Sequence, residues 1–345
     1  MMHSMPYVKD RPPAATLHGA EDVAAVMRSG SRFLITGHRG ADGDAVGAAL
    51  GLALLLDAMG KTSVVYSSEP YPRQFRFLTR ADRVAVAIDP NERFDATLVV
   101  DCAVRELLGA GVPNDGRQGT LCVIDHHLTQ TAYGDINYLN PEAAAVGEMI
   151  YEIAAALQLP ITKPLAEALY TSILTDTGSF HYSSTGPRTF RIAAELIEAG
   201  VEPWHMAEKI YETVPWARFE LLRLMLNTIE VGCDGRYAMV VVTHDMFEKT
   251  GATREMTDGI INFARSIEGV EVAASFSQLE PGNPRAPGFQ VSLRSRGSVN
   301  VARVAEGFGG GGHHNAAGGI ANGDLASARR TVIDSVRSVL AETAS

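Results

Sequence analysis

Acidic residues and histidines fall at four places in this chain where they could do chemistry together. His38, Asp42 and Asp44 lie in the run HRGADGD, Asp101 follows LVV, Asp125-His126-His127 follows CVI, and Asp176 lies in TDTGSF. His38, Asp42, Asp44, Asp101, His126 and Asp176 together make four carboxylates and two imidazoles. One crevice cannot hold that much negative charge unneutralised. Two divalent cations would balance it. Six ligands divide into two sites that share one bridging carboxylate, the arrangement a two-metal hydrolase uses to activate water and clamp a phosphate. Carboxylate and imidazole ligands without thiolate favour Mn²⁺ over zinc, and the histidines argue against a pure Mg²⁺ site. Taken singly, each residue has a plainer reading. An Asp at a strand end is commonly a turn or cap residue, Asp44 could be only an N-cap, and a lone buried His is usually a hydrogen-bonded core residue. Convergence on one edge is what favours the metal reading.

The elements that must position these residues are legible as alternating strands and helices. Residues 32–36, 63–66, 97–100 and 120–124 are short apolar, β-branched runs that read as buried strands. Helices are expected over 45–59, 143–157, 165–174 and 189–199, so the N-terminal part reads as an α/β domain with a doubly wound parallel sheet. The acids and histidines then sit just past the carboxyl ends of the strands, the edge where open parallel sheets bind ligands. From Gly235 the texture changes to strand, helix, strand, strand, with a helix-like stretch over 257–266. This predicts a smaller α+β domain. The expected boundaries are a leader at 1–18, the first domain at 19–205, a linker at 206–234 and the second domain at 235–345.

HRGADGDAVGA, VVDCA, VIDHH and LTDTGSF, in that order, resemble the four motifs of the DHH phosphoesterase superfamily. SLRSR with FGGGGHHNAAG resembles the DHH-associated substrate domain of the branch that contains nanoRNases and 3′-phosphoadenosine 5′-phosphate (pAp) phosphatases. The resemblance covers about residues 20 to 340. It implies that His38, Asp42 and Asp101 hold one Mn²⁺ and that Asp44, Asp101, His126 and Asp176 hold the other, with Mg²⁺ or Co²⁺ as substitutes. It further implies a nucleophilic water activated by the metal pair, His127 at the scissile phosphate or leaving oxygen, and Asp125 orienting the histidine pair. The sequence has no GxSxG elbow, reactive-cysteine signature or Walker lysine, which agrees. Ala41, Ala48 and His181 stand where the family usually has Pro, Ser and Arg. None is a proposed ligand, but they leave the local loop shape and a substrate contact open.

Between Pro281 and Ala305 the chain has four arginines, Arg285, Arg294, Arg296 and Arg303, and no Asp, Glu or Lys. Arg294 and Arg296 alternate on an expected strand and could fork onto one phosphate. Solvated edge-strand charges are the other reading. Gly311 and Gly312 can bring backbone N–H groups close to an anion, and His313 can donate to a phosphate oxygen. With this clamp in one domain and the metals in the other, substrate is expected in a cleft between them and should be short.

The expected activity is hydrolysis of short oligoribonucleotides to 5′-mononucleotides and of pAp to AMP. Cyclic or linear dinucleotide hydrolysis is an alternative, as is a nucleotide-binding regulator without turnover. The composition narrows the field. Of 345 residues, 46% are hydrophobic and 20% charged, which fits ordinary globular usage and two domains. The longest strongly apolar run, Ala45 to Leu56, has 12 residues, too few for the roughly 20 of a membrane span. A net charge of −10 repels a long polyanion and disfavours a processive single-strand exonuclease. Three cysteines without CxxC spacing and a leader without an apolar segment point to the cytoplasm. Two-lobed members of the family often form homodimers.

Overall fold

The computed structural model describes residues 18–127, 131–257, 259–312 and 314–343. The expected leader, apart from residue 18, and His313 lie outside the described residues. The chain divides into two compact units, Met1–Thr213 and Val214–Ser345.

The first unit is built on β1 (Arg32–Thr36), β2 (Thr62–Tyr66), β3 (Ala96–Val100), β4 (Thr120–Asp125) and β5 (Ile136–Leu139). All neighbours pair in parallel, in the order β2-β1-β3-β4-β5. The helices are α1 (Ala20–Ser29), α2 (Gly43–Ala58), α3 (Val146–Ala156), α4 (Lys163–Asp176), α5 (Pro187–Glu198) and α6 (Pro203–Ala207). Strand alternation decides which face they cover. Phe33, Ile35, Leu98, Val100, Cys122 and Ile124 face the core shared with α1 to α5. Leu34, Val99, Leu121 and Val123 face the other way, onto connecting segments that supply Phe94, Leu108, Val112 and Tyr133. The expected α/β class with a parallel sheet is present, and its second face is covered by loops and short 3₁₀ turns rather than helices.

Helix α2 is apolar nearly all round, and 13 of its 16 residues are buried. Such a helix must lie in the core. Gly43, Gly47 and Gly51 recur every fourth residue along the side that meets α4. A methyl at Gly47 would lie 2.4 Å from the Ala168 carbonyl oxygen, and one at Gly43 would lie 2.3 Å from Thr175 Oγ1. The backbones of α2 and α4 therefore approach as closely as glycine permits. The start of α2, which carries Asp44, is brought against the end of α4, which carries Asp176.

The second unit contains α7 (Trp216–Leu226), β6 (Glu230–Gly232), β7 (Tyr237–Val242), α8 (His244–Thr250), α9 (Ile261–Arg265), β8 (Val272–Gln278), β9 (Gly288–Ser295), α10 (Val301–Glu306), β10 (Gly311–Gly312), β11 (Ala316–Asn322) and α11 (Leu325–Thr343). The sheet runs β10-β11-β9-β8-β7-β6 and is antiparallel except between β7 and β8. Three expectations are revised. The segment 206–234 is not a free linker: Met206 and Ile210 are buried in the first core, and Leu221 and Met225 in the second. The helix expected over 257–266 shortens to Ile261–Arg265, because Gly259 takes a left-handed φ of 73°. Strand β9 ends at Ser295, so Arg296 follows the strand, and Gly297 at φ 64° turns the chain there.

Candidate metal centre

The carboxyl ends of β1, β3 and β4 and the facing ends of α2 and α4 gather all six proposed ligands. His38 leaves β1, and its Nε2 lies 3.4 Å from Asp101 Oδ2 and 3.8 Å from Asp42 Oδ1. His126 leaves β4, and its Nε2 lies 3.5 Å from both Asp44 Oδ2 and Asp176 Oδ2 and 3.9 Å from Asp101 Oδ1. Two ligand groups result, His38–Asp42–Asp101 and Asp44–His126–Asp176, each with its donor atoms within 4.8 Å of one another. Asp101 belongs to the first and also groups with His126 and His127, so it is placed to bridge. Its backbone is left-handed at φ 50°, a strained conformation for a residue with a Cβ, which turns it out of β3 while its N–H donates to the Ile124 carbonyl at 3.0 Å.

Backbone carbonyls set the histidine rings. His38 Nδ1 lies 2.8 Å from the Arg39 carbonyl oxygen and His126 Nδ1 lies 2.9 Å from that of Ala143. A carbonyl only accepts, so both Nδ1 atoms are assigned a proton and both Nε2 atoms face the carboxylates, where a metal would replace the Nε2 proton. That is the ring orientation a metal needs. His127 differs. Its Nδ1 lies 2.8 Å from Oδ1 of the fully buried Asp125.

Asp42 and Asp44 have separate jobs. Asp42 caps α2, with Oδ1 accepting from the N–H groups of Asp44 at 3.0 Å and Ala45 at 3.1 Å. Asp44 is buried and accepts from the Val146 N–H, at 3.1 Å to Oδ1 and 2.9 Å to Oδ2, and from the Ser172 hydroxyl. The plainer reading of Asp44 as an N-cap therefore falls to Asp42. Ser172, the first turn of α3 and the Ala143 carbonyl are site features that the sequence reading missed. A lone serine on the apolar helix α4 was the available signal.

The electrostatics favour a cation. Burial, together with Asp101 and Asp176, pushes the Asp44 carboxyl well above the usual range. Burial pushes Asp176 up to about 6 against the pull of His126. Burial opposes charge on His38, but Asp101 and Asp42 push it up to about 11, and Asp44 and Asp176 likewise push His126 up to about 9. Among the described residues, the ion pairs of these four carboxylates all run to histidines. Oxygen and imidazole donors converging with surplus negative charge fit a divalent metal.

In the second unit, Arg294 on β9 is opposite Ala316 of β11, and Gly312 on β10 is opposite Ala317. The arginine and the glycine pair thus lie at the same end of the two strands that flank β11, and Gly311 and Gly312 are exposed. Arg294 is half-buried with Nη1 donating to the Leu293 carbonyl at 3.0 Å, and Arg296 is exposed. The arginine-rich stretch does not stay together, because Arg303 on α10 pairs with Glu342 on α11.

The DHH family N-terminal domain matches residues 32–173 and the DHHA1 domain matches residues 234–342. The bifunctional oligoribonuclease and PAP phosphatase NrnA of Thermus thermophilus is 33% identical over 92% of this chain and 93% of its own length. The protein of that name from Bacillus subtilis is 26% identical over 80% of this chain and 85% of its own. In fold, the chain is similar to the crystal structure of an exopolyphosphatase-related protein from Bacteroides fragilis, with a TM-score of 0.84, 24% identity and coverage of 92% and 95%. Among the described residues no helix is long and apolar enough to cross a membrane. With the domain matches in motif order and the Thermus relative alike across nearly the whole of both chains, this protein belongs to the DHH family of phosphoesterases, which are hydrolases.

Proposed function

We propose that this chain is a cytoplasmic Mn²⁺-dependent phosphoesterase that hydrolyses very short oligoribonucleotides to 5′-mononucleotides and removes the 3′-phosphate of pAp. The observation that carries the reading is the pair of ligand groups His38–Asp42–Asp101 and Asp44–His126–Asp176, with Asp101 also grouping with His126. His38, Asp42 and Asp101 would hold one ion, and Asp44, Asp101, His126 and Asp176 the other. Two bound ions would supply neutralisation of the phosphoryl oxygens and a water acidified enough to attack phosphorus. The names of the Thermus and Bacillus relatives support the substrate class. The imidazole and carboxylate donors support Mn²⁺, with Mg²⁺ or Co²⁺ as substitutes.

The chain's own residues do the remaining work. Asp125 accepts from His127 Nδ1 and fixes the ring, so Nε2 can donate a proton to the leaving oxygen. Asp101, turned out of β3 by its left-handed backbone, would serve both ions. Arg294, Arg296 and the N–H groups of Gly311 and Gly312 bind substrate phosphate, together with His313. An anion clamp of this size suits substrates of two to a few nucleotides.

The test is a turnover assay of the purified protein with Mn²⁺ on a diribonucleotide, a 24-mer RNA, pAp, linear pApA and cyclic di-AMP. Products are resolved by chromatography. Fast cleavage of the diribonucleotide and pAp with little on the 24-mer is expected. Preference for pApA or cyclic di-AMP would move the assignment to dinucleotide second messengers. No turnover on any of them, with metal bound, would leave a nucleotide-binding regulator.

A further inference from the structure

Ser172 sits in the middle of α4, fully buried, and it does not touch any of the six proposed ligands except Asp44. Its hydroxyl oxygen accepts the Gly147 N–H at 2.7 Å. A hydroxyl carries a single proton. With the Gly147 N–H pointing at the oxygen, that proton goes to the other partner, Oδ1 of Asp44. Oδ1 also lies 3.1 Å from the Val146 nitrogen, so it is fully engaged by donors. Oδ2 takes the Val146 N–H at 2.9 Å and is the oxygen that faces His126 Nε2 at 3.5 Å. The arrangement therefore distinguishes the two oxygens of one carboxylate. Both share the Val146 N–H, but Oδ1 alone takes the Ser172 hydroxyl and Oδ2 is the one turned toward His126.

Besides Asp44, the hydroxyl at residue 172 serves the Gly147 N–H in the first turn of α3. The contacts there are close: a methyl added at Gly147 would lie 2.3 Å from Ser172 Oγ, and one at Gly47 would lie 2.9 Å from Ser172 Cβ. Alanine at 172 would fit the same packing but would leave the Gly147 N–H without this acceptor. The first turn of α3 adds to the effect, because its N–H groups at Val146 and Gly147 present the positive end of an 11-residue helix to the carboxylate.

We infer that Ser172 is a positioning residue for the cation held by Asp44, His126 and Asp176, relaying the Gly147 N–H to Asp44 so that Oδ2 alone faces the ion. This rests on the two-ion reading above. Removing an outer hydrogen bond of this kind weakens metal affinity by about 10–100-fold.

The experiment is an equilibrium Mn²⁺ titration of the full-length protein, with free Mn²⁺ read from its paramagnetic resonance signal. It compares wild type with Ser172→Ala, Ser172→Cys and Asp44→Asn, and thermal melting of each protein without metal is the folding control. The expected result for Ser172→Ala is one ion bound about 10–100-fold more weakly and the other at wild-type affinity, with the metal-free protein folded but melting lower, because the Gly147 N–H loses its acceptor. Ser172→Cys keeps a weak donor of similar shape and should fall between the two; it carries the test if the alanine variant does not fold. Wild-type affinity at both sites in a folded Ser172 variant, with Asp44→Asn losing an ion, would overturn the role of Ser172 alone. Two tightly bound ions in Asp44→Asn would instead overturn the ion site itself.

Discussion

Gly47 on α2 faces the Ala168 carbonyl on α4 so closely that a methyl placed there would lie 2.4 Å from the oxygen and 2.8 Å from the Ser172 nitrogen. Both of these neighbours are backbone and cannot rotate away. Gly47→Ala is therefore expected to destabilise the fold by about 1–3 kcal/mol, measured by urea unfolding. Because the same contact sets the distance between Asp44 and Asp176, Mn²⁺ affinity should fall with stability. Wild-type values for both would show that the helices can part at no cost.

Asp101 belongs to the His38–Asp42 group and also groups with His126 and His127, which makes it the proposed bridge. Asp101→Ala should lose Mn²⁺ and lower turnover by more than about 100-fold, since substitutions that only touch a ligand's support already cost up to that. Circular dichroism should show an intact fold. Near-normal turnover in this variant would end the two-ion assignment.

Asp125 and His127 form a pair whose removal should separate chemistry from metal binding. In Asp125→Asn the side chain no longer offers a charged acceptor to His127 Nδ1. We expect kcat to fall by about 10–100-fold while both ions bind as before. His127→Ala should cost about 10²–10⁴-fold. Loss of an ion in either variant would make His127 a ligand.

Arg294 tests the second unit. A charge-assisted hydrogen bond to phosphate is worth about 1.5–3 kcal/mol, so Arg294→Ala should raise KM roughly tenfold or more with little change in Mn²⁺ stoichiometry. Unchanged kinetics would make it a solvated strand residue.

Metal removal should be visible without substrate. At about 100 times the dissociation constant, a ligand that binds only the folded state stabilises it by about 2.7 kcal/mol. Mn²⁺ added to chelator-treated protein should raise the melting temperature by several degrees, and Asp101→Ala should lack that rise.

The sequence by itself determined the chemistry on offer and most of the first sheet. Four short apolar runs became β1 to β4, and those of β1, β3 and β4 lead into Asp or His within two residues; runs this short and apolar leave little choice but a buried strand. The motif order placed His38, Asp101 and Asp125-His126-His127 at strand ends. Strand β5 has only four residues and α1 only ten, so neither stands out as a local pattern.

Tertiary structure alone decided how those residues divide their work. HRGADGD offers two aspartates within three residues, and either could cap α2. Asp42 takes the cap because Asp44 is drawn to α3 and Ser172, which lie more than 100 residues later. Arg303 likewise belongs with Arg294 and Arg296 in sequence but with Glu342 in space. Periodicity and composition report which face of an element is buried; the partner across that face is a long-range choice, made by packing. The glycines of α2 are the clearest case, since as letters they resemble helix breakers and in the fold they allow α4 to bring Asp176 to Asp44.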